Sequence, residues 1–599
     1  MSILNYKIKM KQFVKYVLAT ITGLAIMSVL GFILFFVFLG AMASQSTVNV
    51  KNNSVLVLKM DGILQERSNE GSLQALYAKF SSADKSLSLE NVLSAIEKAK
   101  DDDNIKGIYI EAGALSAAPA SLQAIHNALK DFRKKGKFII SYGDVYTQGC
   151  YYLASTSNEI ILNPSGEINW VGMASTPYYL KDFFEKIGVG VQIVKVGKYK
   201  SATEMFSETH MSDANREQVN AYLTSIWKQI KNDVAANRKI SADSLDVYAD
   251  RGMVFTGAEA FKKIKMVDKI AYSESVKESI KKQMKLGKDD DYNTISLAEY
   301  SEVNSNIPKD KSGNIVAVYY ACGEISDISN NTGESEIVGK KVCDDLDKLA
   351  ENEDVKAVVL RVNSPGGSAY ASEQIWHHVM LLKEKKPVVV SMGDYAASGG
   401  YYISCGADYI VAEPTTITGS IGIFGVLLNY EELANNKLGI HFDSEKTNKY
   451  ADMGTGARKF NEDELGLLQN YINRGYDLFL TRCANGRKKT KEQIHEIAQG
   501  RVWTGVDGKK IGIVDELGGL QKAIEIAAKR GKVKEYTTVS YPTPPSFFDS
   551  LLEDKTNSYA DTKLRETFGN MYDIVKEAQK YTKANQIQAR IPYRLNLNL

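Results

Sequence analysis

The most apolar stretch of the chain comes first. From Val17 to Ala43 almost every residue is apolar, and no charged residue occurs from Tyr16 to Val50. As a helix this run would be roughly 40 Å long, enough to cross a hydrocarbon core of about 30 Å. Lys7, Lys9, Lys11 and Lys15 precede it and no cation follows before Lys51. That bias predicts a cytoplasmic N-terminus over 1–16, a single transmembrane anchor over 17–43, and all later residues outside the membrane. Ala41-Met42-Ala43 resembles a leader-cleavage site. The run is far longer than a cleavable leader's apolar core, so a retained anchor is the expectation.

Beyond a polar stretch the pattern changes to short runs that are apolar at successive positions, separated by helix-like segments. Val55-Leu56-Val57-Leu58 is the first such run, and Ile315-Val316-Ala317-Val318 opens a second series. In that series residues 342–351 and 372–384 read as helices, and 357–362 and 388–392 as strands. Strands apolar on both faces that alternate with helices specify parallel βαβ units rather than a sandwich. Long helices are expected at 213–238 and 461–485, one after each series, packing between domains or subunits. The charged stretch 282–314, with Lys288-Asp289-Asp290-Asp291 and Pro308, reads as a linker. After Tyr541-Pro542-Thr543-Pro544-Pro545, residues 559–586 read as one exposed helix and 587–599 as a final strand or arm.

The two series are copies of each other. Gly143-Asp144-Val145-Tyr146-Thr147-Gln148-Gly149-Cys150-Tyr151-Tyr152 aligns with Gly393-Asp394-Tyr395-Ala396-Ala397-Ser398-Gly399-Gly400-Tyr401-Tyr402, and five of the ten positions are identical. Asn104-Ile105-Lys106-Gly107 matches Asp354-Val355-Lys356-Ala357 in the same register, 250 residues on. Thr256-Gly257 pairs with Thr504-Gly505, and Val267-Asp268 with Val514-Asp515, after small deletions. At 599 residues the chain exceeds one core. The expected division is a first copy over 50–281, the linker 282–314, a second copy over 315–532, and a C-terminal extension over 533–599.

Composition removes several classes of function. With 74 basic and 72 acidic side chains no global field favours nucleic acid. The five cysteines form no C-x-x-C pair, and no metal-ligand spacing or Walker A motif is present. No metal, cofactor or ATP-driven unfolding is therefore expected, and extended peptides rather than folded proteins would be substrates.

The copies differ where chemistry would sit. Ser398, at a predicted strand-to-helix junction, stands opposite Gln148. A hydroxyl at a helix N-terminus is flanked by N–H groups able to hold developing negative charge. The turn Asn363-Ser364-Pro365-Gly366-Gly367-Ser368 follows a strand, and its two glycines stand opposite Ser116 and Ala117. One copy thus lacks both the candidate nucleophile and the candidate oxyanion turn. A serine nucleophile needs a base. None of His126, His210, His377, His378, His441 or His495 has an evident local triad context, although the fold could still bring one to the serine; lysine is the other option, in Val196-Gly197-Lys198-Tyr199-Lys200-Ser201-Ala202.

Together, Gly-Asp-Tyr-Ala-Ala-Ser-Gly-Gly-Tyr-Tyr, Asn-Ser-Pro-Gly-Gly-Ser and Gly-Lys-Tyr-Lys-Ser-Ala resemble the long form of the signal peptide peptidase A family. The resemblance implies an α/β fold of tandem duplicated ClpP/crotonase-like domains behind an N-terminal transmembrane helix. It implies a serine endopeptidase of the cytoplasmic membrane that degrades cleaved signal peptides on its outer side, working as a homotetramer without cofactor. It makes Ser398 the nucleophile and Lys200 the general base, with Gly366, Gly367 and Gly399 as oxyanion-hole residues and Ser420 orienting the lysine. Phe424 and Val426 would line apolar pockets. Lys449, 51 residues after Ser398, is the rival base, at nearly the spacing of Lys200 from Gln148. The base must be neutral, which burial would achieve, helped by repulsion from Lys195 and Lys198. Two other readings compete: a crotonase-like acyl-CoA binder, disfavoured by the export topology, and a catalytically silent oligomeric scaffold at the membrane.

Overall fold

In a computed structural model the chain is described over residues 13, 15–31, 33–34, 49–67, 86–303, 312–329, 335–543 and 588–590. The first copy contributes β1 (Ser54–Gln65), β2 (Ser86–Ser88), β3 (Ile105–Ser116), β4 (Phe138–Tyr146), β5 (Glu159–Ile168), β6 (Gly190–Lys195), β7 (Lys269–Ile270) and β8 (Asn293–Ser296). The second contributes β9 (Ile315–Cys322), β10 (Glu324–Ser326), β11 (Glu336–Val338), β12 (Val355–Ser364), β13 (Gly366–Ser368), β14 (Val388–Ala397), β15 (Tyr409–Ala412), β16 (Ile417–Gly419), β17 (Phe424–Asn429), β18 (Val502–Thr504), β19 (Glu516–Leu517) and β20 (Thr537–Tyr541). A last strand, β21, spans Gln588–Arg590. The helices that matter below are α1 (Pro119–Lys134), α2 (Gln148–Ala154), α3 (Asp213–Arg238), α4 (Gly339–Glu351), α5 (Ala369–Lys385), α6 (Gly399–Ser404), α7 (Glu462–Arg487) and α8 (Leu520–Arg530).

Each copy forms its own sheet. The first runs β2-β1-β3-β4-β5-β7, with β8 added on β1, and every pairing is parallel. The second runs β18-β16-β14-β12-β9-β20, with β15 on β14 and β19 on β15, and only β16–β18 is antiparallel. The uninterrupted apolar runs are explained by the pleat, which sends alternate residues into two cores. From β9, Ala317 and Tyr319 join Val358, Leu360 and Val390 under α4 and α5. Val316, Val318 and Tyr320 face the other way, to Val359, Val389 and Ala523 and Ala527 of α8. The first copy repeats this with Leu56 and Leu58 on one side and Val55 on the other.

Several expected boundaries move. The strand expected to end at Met392 continues to Ala397, because β14 changes partners: it pairs with β15 as far as Met392 and with β16 from Tyr395. Part of the expected linker is structured, since β8 adds to β1 through Ser54↔Asn293 to Val57↔Ser296. The expected extension begins with β20, which pairs with β9 and completes the second sheet. The helix expected at 559–586 lies outside the described residues. The expected anchor lies partly outside them: residues 15–31 are helical with exposed side chains, and among the described residues no helix is long and apolar enough to cross a membrane.

A third sheet was not anticipated. Its order is β11-β10-β13-β21-β17-β6, so it joins strands of both copies and the C-terminal strand. Polar contacts also lock the copies together. The N-terminus of α1 has no side-chain cap of its own. Instead Ser121 donates from N and Oγ to the Asp394 carboxylate at 2.8 and 2.7 Å. That puts an acid of the second copy at the positive end of a first-copy helix. Thr415 donates from N and Oγ to Gln123 at 3.2 and 2.9 Å. Two residues earlier, Glu413 is buried, and its Oε2 finds no hydrogen-bond partner among the described residues.

Burial, reinforced by Asp394 and Asp233, pushes the Glu413 carboxyl up to about 7. A folded pKa above the unfolded one means that the folded state retains a proton the unfolded chain releases. Stability therefore falls as pH rises from the ordinary carboxylate range to about 7. Glu413→Gln removes that penalty: at pH 8 the variant should be more stable by at most roughly 3 kcal/mol. Thermal melts at about pH 4.5 should show little difference between the two.

Candidate active site

Ser398 follows the last residue of β14 and precedes α6. Its backbone sits at φ +57°, ψ −112°, a conformation that strains any residue with a side chain. Its N–H donates to Gly419 O at 2.8 Å, which helps hold it there, and its side chain is not used to cap α6. The hydroxyl is therefore left for other contacts, and it is fully buried.

The Lys200 amine lies 2.8 Å from Ser398 Oγ. It also lies 3.1 Å from both the carbonyl oxygen and the hydroxyl of Ser420. Ser420 holds its own positive φ of +51°, with its N–H donating to Arg501 O at 2.7 Å. Lys200 belongs to the first copy, yet second-copy backbone walls it in. Val196 N donates to Ile423 O at 3.2 Å and Tyr199 N to Gln499 O at 3.0 Å. A Cβ on Gly500 would stand 2.6 Å from Lys200 N, and one on Gly197 would stand 2.4 Å from Gln499 O, so both contacts require glycine. From α3, Gln218 donates to Tyr199 O and Ser201 Oγ and accepts from Val502 N.

This enclosure sets the chemistry of the amine. Burial alone holds Lys200 well below its usual 10.5, because an ammonium cannot be hydrated there. The expected help from Lys195 and Lys198 is not found: no neighbouring cation contributes, and the Lys198 ammonium stands over the Tyr199 ring instead.

The other sequence-picked residues separate clearly. Gly366 and Gly367 have φ of +103° and +156°. A Cβ on Gly366 would stand 2.8 Å from Gly399 N, so these two glycines face each other beside Ser398. The Gly366 N–H donates to Ser364 Oγ at 3.1 Å. Gly367 pairs with Ile325 of β10. Gly399 is the first residue of α6, where an N–H has no acceptor within the helix. Lys449 is exposed and ion-paired to Asp463 at 2.6 Å, which raises its pKa. Histidines bond elsewhere: His126 to Asn237, His378 to Asp347 and His495 to Tyr476.

Three residues that support this site were missed from sequence. Gly422 lies with its carbonyl oxygen 3.5 Å from Ser398 Oγ, and a Cβ on it would meet Lys200 Cδ at 3.3 Å. Gln218 and Gly500 brace the lysine loop. Gly500 lies four residues before the Thr504-Gly505 pair that the internal alignment used, which was the one available signal for it.

Comparison with known proteins fits this picture. Peptidase family S49 matches residues 131–287 and 380–534, one stretch in each copy. The Clp protease family matches residues 315–416, in accord with a ClpP-like α/β fold. Protease 4 of Salmonella typhi is 37% identical, over 88% of this chain and 87% of its own. Protease 4 of Haemophilus influenzae is 32% identical over 95% of each chain. The chloroplastic serine protease SPPA of Arabidopsis thaliana is 30% identical over 84% of this chain and 73% of its own. With matches that run through both copies, the chain belongs to peptidase family S49, in the long form with the peptidase region in duplicate, and is a serine protease.

Proposed function

We propose that the protein is a membrane-anchored Ser/Lys endopeptidase that cuts extended apolar peptides, cleaved signal peptides among them, outside a bacterial cytoplasmic membrane. One observation carries the reading: a buried amine, held below its usual pKa, 2.8 Å from a buried serine hydroxyl. A neutral amine has two N–H groups and one lone pair. The carbonyl and hydroxyl of Ser420 accept the two N–H groups, which leaves the lone pair for the Ser398 proton.

In this mechanism Lys200 takes that proton as Ser398 Oγ attacks the scissile carbonyl carbon. The oxyanion is held by the Gly399 N–H and by the Gly366 N–H, released from Ser364 Oγ. The Lys200 ammonium then gives its proton to the leaving amine as the peptide bond breaks. A water, deprotonated by the same amine, hydrolyses the acyl-serine to a carboxylic acid and restores the hydroxyl. Supporting the membrane reading, the helix at 15–31 exposes Val17, Leu18, Ile21, Leu24 and Leu30, a surface suited to lipid. A homotetramer belongs to the same reading.

Ser398→Ala and Lys200→Ala should each lower kcat/KM on a fluorogenic apolar peptide by about 10³-fold or more, while Lys449→Ala stays near normal. A serine-directed fluorophosphonate should label the wild-type chain and not Ser398→Ala. Full activity in Lys200→Ala would move the base elsewhere. Wild-type protein that neither labels nor hydrolyses would leave the silent scaffold standing.

The pH dependence has a definite sign. The base works unprotonated, so kcat/KM should fall as pH drops through the Lys200 pKa, on a limb lying well below 10.5. Lys200→Arg, which stays protonated, should be inactive throughout. The same depressed pKa costs stability wherever the unfolded chain would hold the proton and the folded one must release it. Lys200→Met should therefore melt higher than the wild type at pH 7, with the gain disappearing towards about pH 11.

A further inference from the structure

Strand β21 lies where an extended peptide would lie. It is antiparallel to β13 through Gly366↔Arg590, Gly367↔Ala589 and Ser368↔Gln588, and to β17 through Phe424↔Gln588. β13 and β17 are neighbours of β21 and not of each other. Without β21 they would bound a slot one strand wide, with an unpaired edge on each wall, the arrangement that captures peptides by strand addition. The slot passes the reactive pair. The Ala589 carbonyl oxygen lies 2.1 Å from where a Cβ on Gly366 would be and 3.1 Å from where one on Gly399 would be. The Phe424 ring centre is 5.8 Å from Lys200 Nζ.

The side chains show what the slot selects. Arg590 is 4% exposed, and its guanidinium donates to Glu324 Oε1 at 2.8 Å. A buried guanidinium is tolerated only where a carboxylate meets it. Glu324 opens β10 directly after Gly323, at φ +103°. Beside it in register is Glu336 of β11, and Asp327 accepts from Ser368 Oγ at 2.7 Å, so this wall is acidic. The position that follows the equivalent Gly62 in the first copy, which has no candidate nucleophile, is the exposed Ile63. Gln588 fits less well: its side-chain oxygen is buried with no hydrogen-bond partner among the described residues. An apolar residue would suit that place better.

We propose that Glu324 forms a subsite for a basic side chain of a peptide bound in this slot, the place that Arg590 of the chain itself occupies. The meaning for proteolysis rests on the reading of Ser398 and Lys200; the occupancy of the slot does not. The preferred substrates are then peptides in which a basic residue abuts an apolar run, the composition found where the charged and apolar regions of a signal peptide meet.

Binding tests this without any need for hydrolysis. In full-length Ser398→Ala protein, a fluorescein-labelled Leu-Leu-Gln-Ala-Arg-Leu-Leu peptide should bind about tenfold tighter than its twin with Gln for Arg. Adding Glu324→Gln should abolish that difference. Adding Arg590→Glu instead should tighten both peptides by roughly fivefold, because the competing strand is loosened. A Phe424→Cys/Gln588→Cys pair should form an intramolecular disulfide, read by mass after thiol blocking. Equal binding of the two peptides overturns the basic subsite. An absent disulfide, together with unchanged affinity in Arg590→Glu, overturns the resident strand. Failure of the Ser/Lys reading would show separately, as a wild-type chain without hydrolysis.

Discussion

Keeping water away from the Lys200 amine is the constraint around which both copies are arranged. An exposed lysine is an ammonium at neutral pH and has no lone pair to offer. The depressed pKa here comes from burial and from no neighbouring charge. In the proposed mechanism every contact that closes the lysine loop is therefore part of the chemistry, including those made by backbone alone. Gly197 and Gly500 permit approaches that any Cβ would block, and Gly422 leaves room beside the Lys200 side chain. The enclosure is built from both copies, and polar contacts between them support it: Ser121 to Asp394, Thr415 to Gln123, and Glu217 with Arg501 at 2.8 Å.

Duplication has let the halves specialise. Where the second copy places Ser398 at the start of α6, the first places Gln148 at the start of α2. The Gln148 amide donates to Gly172 O at 3.0 Å and accepts from the N–H groups of Val171 and Gly172. At the 250-residue offset those two residues stand opposite Ile421 and Gly422, in the segment after β16 that also carries Ser420. In the first copy an amide thus satisfies the loop that in the second receives the lysine. The first copy's helix after its former turn now docks on Asp394, within the motif that leads to Ser398.

The sequence patterns carried the repeating architecture because strand pleat and helix period are local properties. Long parallel strands announced themselves through runs such as Val388-Val389-Val390, whose alternate residues enter different cores. Boundaries failed where tertiary pairing decided them, as in the extension of β14 to Ala397 through β16. The pairing of Ser398 with Lys200, 198 residues apart, has no periodic signature. It was legible only through the family resemblance. Spacing alone favoured Lys449 about equally, and spacing does not report burial: Lys449 lies in an exposed segment against Asp463. Gln218, Gly422, Gly500 and Glu324 stayed hidden for a related reason, since each acts through a partner supplied by a distant part of the chain.

In the proposed function the third sheet connects substrate recognition to this enclosure. Its edge strand β6 comes from the first copy, pairs with β17 from Gly190↔Asn429 to Lys195↔Phe424, and leads directly into the loop that carries Lys200. On its other side β17 meets the strand in the slot. A peptide that seats against β17, as proposed, would add hydrogen bonds to the sheet that leads into the Lys200 loop. In the proposed function strand addition and the neutrality of Lys200 would favour each other, since a filled slot would brace both copies around the buried amine. By the reciprocity of coupled equilibria, charging the amine would in that reading weaken the grip on the strand.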